Sequence, residues 1–161
     1  MSRALTVCLA FFLSLCMLCT LTACGSVRDD VPVQLIADAV GGKIDGYENL
    51  SPASDDYLRY CMKSDLSRFE EHLLLCPFAG NVYREIGIFK LAAGADRASA
   101  LAELRGYLAF RAANWDMRYK AEECEKIKHA RLVTRGRYCF FAILSDAERA
   151  AAEKAFADVL R

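Results

Sequence analysis

Histidine is nearly missing from this chain. His72 and His129 are the only two in 161 residues, so nucleophile–base systems that rely on imidazole are sparsely supplied. Also missing are a glycine-rich phosphate loop, a His-Glu-x-x-His helix and, outside the apolar amino-terminal run that holds Cys16-Met17-Leu18-Cys19, a Cys-x-x-Cys pair, which removes the common signatures of nucleotide, catalytic zinc and thiol–disulfide chemistry. Net charge is absent too, with 21 basic and 21 acidic side chains. A near-neutral chain argues against nucleic acid as a partner and against a large polybasic membrane patch. The length is too small for a solute receptor of the two-lobed kind. No cofactor is implied.

What is present begins at the amino terminus. Arg3 precedes a stretch, Ala4 to Leu21, that carries no charge, and Leu21-Thr22-Ala23-Cys24-Gly25-Ser26 closes it. A positive end, an apolar run and small residues before a cleavage point are the three parts of a secretory leader. Leu21-Thr22-Ala23-Cys24 resembles the lipobox of a bacterial lipoprotein precursor, in which the cysteine sulfur receives a diacylglycerol. The rival reading is an uncleaved transmembrane helix, since about 20 apolar residues span a bilayer. The expected organisation is a signal peptide over 1–23, a lipid-anchored tether over 24–30 with Cys24 as the lipidation site, and a single domain over 31–161. Taking 23 residues from 161 leaves 138, enough for one domain with a real core. The leader holds one cation and no acid, so the remainder keeps 20 cations against 21 acids. The expected location is extracytoplasmic, on the cell membrane.

Of the eight cysteines, Cys8, Cys16, Cys19 and Cys24 belong to the leader and its junction; Cys61, Cys76, Cys124 and Cys139 remain. An even number in an exported chain permits two disulfides with three pairings, and four buried thiols filling a core are the alternative. His72 and Cys76 stand four apart and Cys124 and His129 five apart, a spacing that matches no familiar zinc finger, and no metal is expected. Cys76 and Cys139 sit in apolar strands where a thiolate is destabilised. Glu70-Glu71 and Glu122-Glu123 are adjacent carboxylates read as solvated faces. Arg118, Lys120, Lys126, Lys128, Arg131, Arg135 and Arg137 outnumber the acids around them. They form either an ordinary solvated surface or a contact for anionic lipid headgroups or wall polymers. Tyr57, Tyr60, Tyr83 and Phe89 are candidates for an aromatic binding surface or for core and rim packing.

The coarse pattern runs helix, helix, strand, strand, long helix, strand, strand, helix. Asp30 and Pro32 open a short helix with Leu35, Ile36 and Val40 as its stripe, and Gly41-Gly42 stops it. Lys43 to Ala53 reads as a loop. Ser54 caps a second short helix carrying Tyr57, Leu58 and Cys61. Phe69 to Cys76 and Val82 to Leu91 read as strands. Asp96 caps a long helix in which Leu101, Leu104, Leu108, Ala112 and Trp115 recur at helical spacing. Thr134-Arg135-Gly136 reads as a three-residue hairpin turn. Tyr138 to Leu144 is apolar on both faces and should be a central, covered strand. Ser145 with Glu148 makes a capping box for the last helix. Two successive strand–strand–helix units after an N-terminal helical segment imply an α+β domain, a mainly antiparallel sheet of about four strands with helices packed on it. Ile88, Leu104, Leu108, Phe141, Ile143 and Phe156 are expected in one core.

Val82-Tyr83-Arg84-Glu85-Ile86-Gly87-Ile88-Phe89-Lys90, a long helix, and Gly136-Arg137-Tyr138-Cys139-Phe140-Phe141-Ala142-Ile143-Leu144-Ser145-Asp146 before an alanine-rich helix ending at Phe156 resemble a domain-of-unknown-function family of small lipoproteins from Gram-positive bacteria. The likeness runs over roughly residues 30 to 160 and its motifs are structural rather than chemical. It implies a fold and a surface location, with no activity, cofactor or catalytic residue, and the four later cysteines lie outside its pattern. The function expected is therefore noncatalytic binding at the cell envelope, to an envelope protein or polymer. The alternative is a small envelope hydrolase using a thiol or a carboxylate.

Overall fold

A computed structural model describes residues 27–77, 83–114 and 121–161. The order is α1 (Val33–Gly41), β1 (Leu50–Pro52), α2 (Asp55–Tyr60), β2 (Phe69–Pro77), β3 (Glu85–Leu91), α3 (Arg97–Ala113), α4 (Ala121–Lys128), β4 (Val133–Arg135), β5 (Tyr138–Ile143) and α5 (Asp146–Val159), with single 3-10 turns at Tyr47–Asn49 and Leu66–Arg68. The class is α+β. The sheet has five strands in the order β1-β2-β3-β5-β4, each antiparallel to its neighbours. The fifth is β1, in the segment expected as a loop. Leu50-Ser51-Pro52 has no periodicity of its own, and it is a strand because it pairs with Leu75–Pro77. Pro52 is tolerated there because β1 is an edge. Both edges, β1 and β4, are only three residues long, which limits what another chain could pair with.

Strand alternation divides the interior in two. Tyr138, Phe140 and Ala142 of β5, with Ile86 and Ile88 of β3, face α1 and α5. Cys139, Phe141 and Ile143, with Phe89 and Leu91, face α2, α3 and the end of α4. The single core expected from the sequence is therefore two clusters separated by the sheet. Ile88 and Phe156 lie in one, while Leu104, Leu108, Phe141 and Ile143 lie in the other. The physical reason is in β5 itself: a strand apolar on both faces needs a layer on each.

Local chemistry sets the helix ends. In α1 the buried face is Val33, Ile36, Ala37 and Val40, a regular helical stripe. Leu35, expected on that stripe, is 51% exposed. Pro32 rather than Asp30 is the capping residue. The Ser54 hydroxyl accepts from the Tyr57 N–H at the start of α2, Asp96 accepts from Ala98 and Ser99 at the start of α3, and the Ser145–Glu148 capping box opens α5. The β4–β5 hairpin turns on Gly136-Arg137, since Arg135 already pairs with Tyr138. Thr134 and Arg135, expected in the turn, belong to the strand. Gly136 has φ +53°, the conformation a glycine-first two-residue loop requires. Gly87 is demanded by packing instead: a Cβ there would overlap the Phe141 ring.

Candidate functional site

Cys24, Arg118 and Lys120 lie outside the described residues, as does Trp115. The other cysteines sit on separate elements as free thiols, Cys61 exposed, Cys76 half-buried, Cys124 and Cys139 buried. Cys76 and Cys139 share a sheet, as expected, but β3 runs between their strands, and two strand spacings are about 10 Å. Cys139 also lies opposite Phe89 and Phe89 opposite His72, four positions before Cys76. That pair is beyond the roughly 7 Å Cα separation a disulfide allows. Burial pushes the Cys139 thiol up to about 11, and burial followed by the Glu85 charge raises Cys76. His72 bonds Asp55 at 3.1 Å and His129 bonds Asp146 at 3.2 Å. Among the described residues no group of three or more His, Cys, Asp or Glu is placed to hold a metal.

The described members of the cationic run each have an acid nearby. Lys126 bonds Glu123 at 2.8 Å, Lys128 bonds Glu125 at 2.9 Å, and Arg131 bonds Glu153, its Nε at 2.9 Å. Arg137 holds Asp29, Glu70 and the Leu91 carbonyl. Asp158, whose carboxyl is held low chiefly by its hydrogen bond from Lys154, also feels the Arg135 charge. Glu70 and Glu71, read as solvated, both reach the Lys90 ammonium, at 2.8 and 3.5 Å. The β2–β3 register shifts between Phe69 and Glu71, at this same place. Of the four aromatics considered for a surface, Phe89 is fully buried and Tyr60 is 77% exposed. Tyr57 and Tyr83 join a polar cluster that the sequence did not reveal.

That cluster lies at the Pro77 and Glu85 end of the sheet. The Glu85 carboxylate, 3% exposed, accepts from the Tyr107 hydroxyl at 2.7 Å and from the Arg111 guanidinium. Tyr57 and Tyr107 share a hydroxyl–hydroxyl bond of 3.3 Å, and the Arg111 guanidinium stacks over Tyr83, 4.5 Å from the ring centroid. Burial, then the Glu85 charge, raises the Tyr107 pKa far above the tyrosine range, so Tyr107 is a neutral donor. Among the described residues the network holds no nucleophile with a poised base. One signal in the sequence could have found it: Arg111 falls on the Leu104–Leu108 stripe of α3, and a charge on an apolar stripe implies a buried partner.

Two surface concavities flank α3. One, of about 330 Å³, lies between α2 and α3 and is lined by Cys61, Met62, Lys63, Glu103, Gly106, Tyr107 and Phe110. The other, of about 410 Å³, runs between α3 and the end of α4, lined by Arg105, Leu108, Ala109, Ala112, Ile127, Lys128, Ala130, Arg131 and Leu132. Among the described residues its uncharged lining side chains are aliphatic and its charged ones are positive.

The amino-terminal segment enters at the opposite end from Glu85. The Arg28 N–H donates to the Leu160 carbonyl at 3.1 Å, Asp29 pairs with Arg137, and the Tyr138 hydroxyl accepts from the Val31 N–H and donates to its carbonyl. Val27 lies against Gly136.

Residues 43–144 match a protein family described as Domain of unknown function (DUF4358). The chain belongs to the DUF4358 family. No curated protein and no solved structure matches it. The DUF4358 segment contains all five strands, α2, α3 and α4, hence the whole Glu85 network and the α3–α4 groove. It stops short of α1 and α5, which cover the other face of the sheet. Among the described residues no helix is long and apolar enough to cross a membrane.

Proposed function

We propose that this DUF4358 domain is a noncatalytic binding module held at the outer side of a cell membrane by lipid on Cys24, in the manner of the Gram-positive lipoproteins it resembles, with residues 1–23 removed as a signal peptide. The observation that carries the reading is Leu21-Thr22-Ala23-Cys24 at the end of an uncharged run. The position of Val27 is in keeping with it: three residues after Cys24 the chain already lies against Gly136 at one end of the sheet. A tether that short holds the domain close to its anchor and turns the Glu85 end away. The noncatalytic part is supported by the state of the reactive groups. Cys76, Cys124 and Cys139 are wholly or partly buried, and the Glu70, Glu71 and Glu123 carboxylates are engaged by cations.

The test is fractionation and intact-mass measurement of the membrane-extracted chain. The parent should begin at a diacylated Cys24, and Cys24→Ala should move the protein out of the membrane fraction. A mass that still includes residues 1–23 would replace the lipid anchor with a transmembrane one.

A further inference from the structure

We propose that the groove between α3 and α4 binds a single-chain amphipathic anion, a long-chain fatty acid carboxylate, with its chain along Ala109, Ala112 and Leu132 and its head at Arg105. The occupant follows from the lining. A volume of about 410 Å³ is that of a small-ligand site. The uncharged side chains in it are alanine, leucine and isoleucine only. Among the described lining residues no side-chain hydroxyl or amide meets the polar groups of a peptide or a sugar, whereas an aliphatic chain carries no polar group that needs a partner. The polar side chains that line it are Arg105, Lys128 and Arg131, with no acid among them, so the head is an anion. Lys128 and Arg131 already bond Glu125 and Glu153. Arg105 is exposed and has no hydrogen bond or ion pair among the described residues, which makes it the guanidinium free to take a carboxylate. The site stands apart from the anchoring reading, since among the described residues the amino-terminal segment bonds Leu160, Arg137 and Tyr138 rather than the groove.

The experiment uses a diazirine-bearing palmitate, photo-crosslinked to the purified full chain and located by peptide mass spectrometry. Label is expected on the α3 and α4 peptides that flank the groove, removed by oleate and retained in the presence of oleyl alcohol or acetate. Arg105→Gln should weaken labelling about tenfold, the loss of one charge-assisted hydrogen bond. Arg105→Lys should keep most of it, and Ala109→Phe should block the groove while the far-ultraviolet spectrum stays that of the parent. The proposal is overturned if oleyl alcohol competes as well as oleate, if Arg105→Gln labels like the parent, or if a glutamate-rich peptide displaces the probe where oleate does not. Cys24→Ala separates the two readings: equal labelling of that variant supports the groove whatever the anchor, and a lipidated chain that takes no label defeats the groove alone.

Discussion

Replacing Arg111 by methionine tests the buried network most directly. The substitution keeps an unbranched stem and removes the guanidinium, so Glu85, 3% exposed, is left with the Tyr107 hydroxyl as its one described donor. Breaking a buried pair by removing one partner costs about 3–5 kcal/mol. Arg111 keeps 18% of its side chain in contact with solvent, which places the electrostatic loss toward the lower end, about 3 kcal/mol. Loss of the stack on Tyr83 adds about 0.5–1 kcal/mol, for an expected total of about 3.5–4 kcal/mol. The second arm removes both charges. Glu85→Leu with Arg111→Met leaves no unpaired ion and should be more stable than Arg111→Met alone, because an apolar replacement of a buried pair is close to neutral. Urea unfolding followed by circular dichroism gives both numbers, with the slope compared across variants to confirm a common two-state transition. A loss below about 1 kcal/mol for Arg111→Met, or a double variant no better than the single, would refute the assignment of a desolvated pair.

Gly87→Ala should destabilise the domain by about 1–2 kcal/mol, the overpacking cost less the gain from a stiffer unfolded chain, because its Cβ would strike Phe141 where that ring is held between Phe89 and Tyr107. Thermal unfolding is the measurement, and a rise in midpoint would show that Phe141 has room to move. Alkylation of the native chain should be fastest at Cys61, the one exposed thiol among the four described, with Cys139 still unmodified at about pH 9, above the usual thiol range, since its own pKa is about 11. Peptide mapping after a timed iodoacetamide pulse reads this, and early modification of Cys139 would contradict its burial.

Much of the fold was legible because its signals are local. Ser145 with Glu148, Asp96 before the Leu104 stripe, and the two-faced apolar run at Tyr138 each depend on residues within one turn or one strand, and the structure places each where expected. The same strand contained evidence against a single core, because alternate residues of one strand cannot reach one cluster. What was hidden depends on distant partners. The acids that engage Arg137 and Arg131 are Asp29, Glu70 and Glu153, none of them within the basic run itself, so a window on that run sees only excess charge. Glu85 alternates with Ile86 as a solvent-facing residue would; it is buried because α3 lies over that face and brings Tyr107 and Arg111 to it. The α3–α4 groove combines one helix with the end of another and the residues after it, and neither stretch reads as a site alone.

The family match and the folded unit have different boundaries, and the difference can be measured. The matched segment, 43–144, carries the sheet with only one of its faces covered. Beyond it lie Val33, Ile36 and Val40 of α1, and Phe156 and Leu160 at the end of the chain, all buried against Ile86, Ile88, Phe140 and their neighbours. Each such side chain is worth about 1.5–3 kcal/mol when fully buried, so these five together contribute about 8–15 kcal/mol, as much as the entire stability of a typical domain. Tyr138 would also lose the Val31 backbone groups that satisfy its hydroxyl, leaving a buried polar atom unpaired. A chain trimmed to 43–144 is therefore expected to lack cooperative unfolding and to bind a hydrophobic dye, whereas 27–161 should be monomeric with dispersed amide resonances. A trimmed segment that folds cooperatively as a monomer would mean that α1 and α5 decorate an already complete core, and that the two-cluster account of the interior overstates the second cluster.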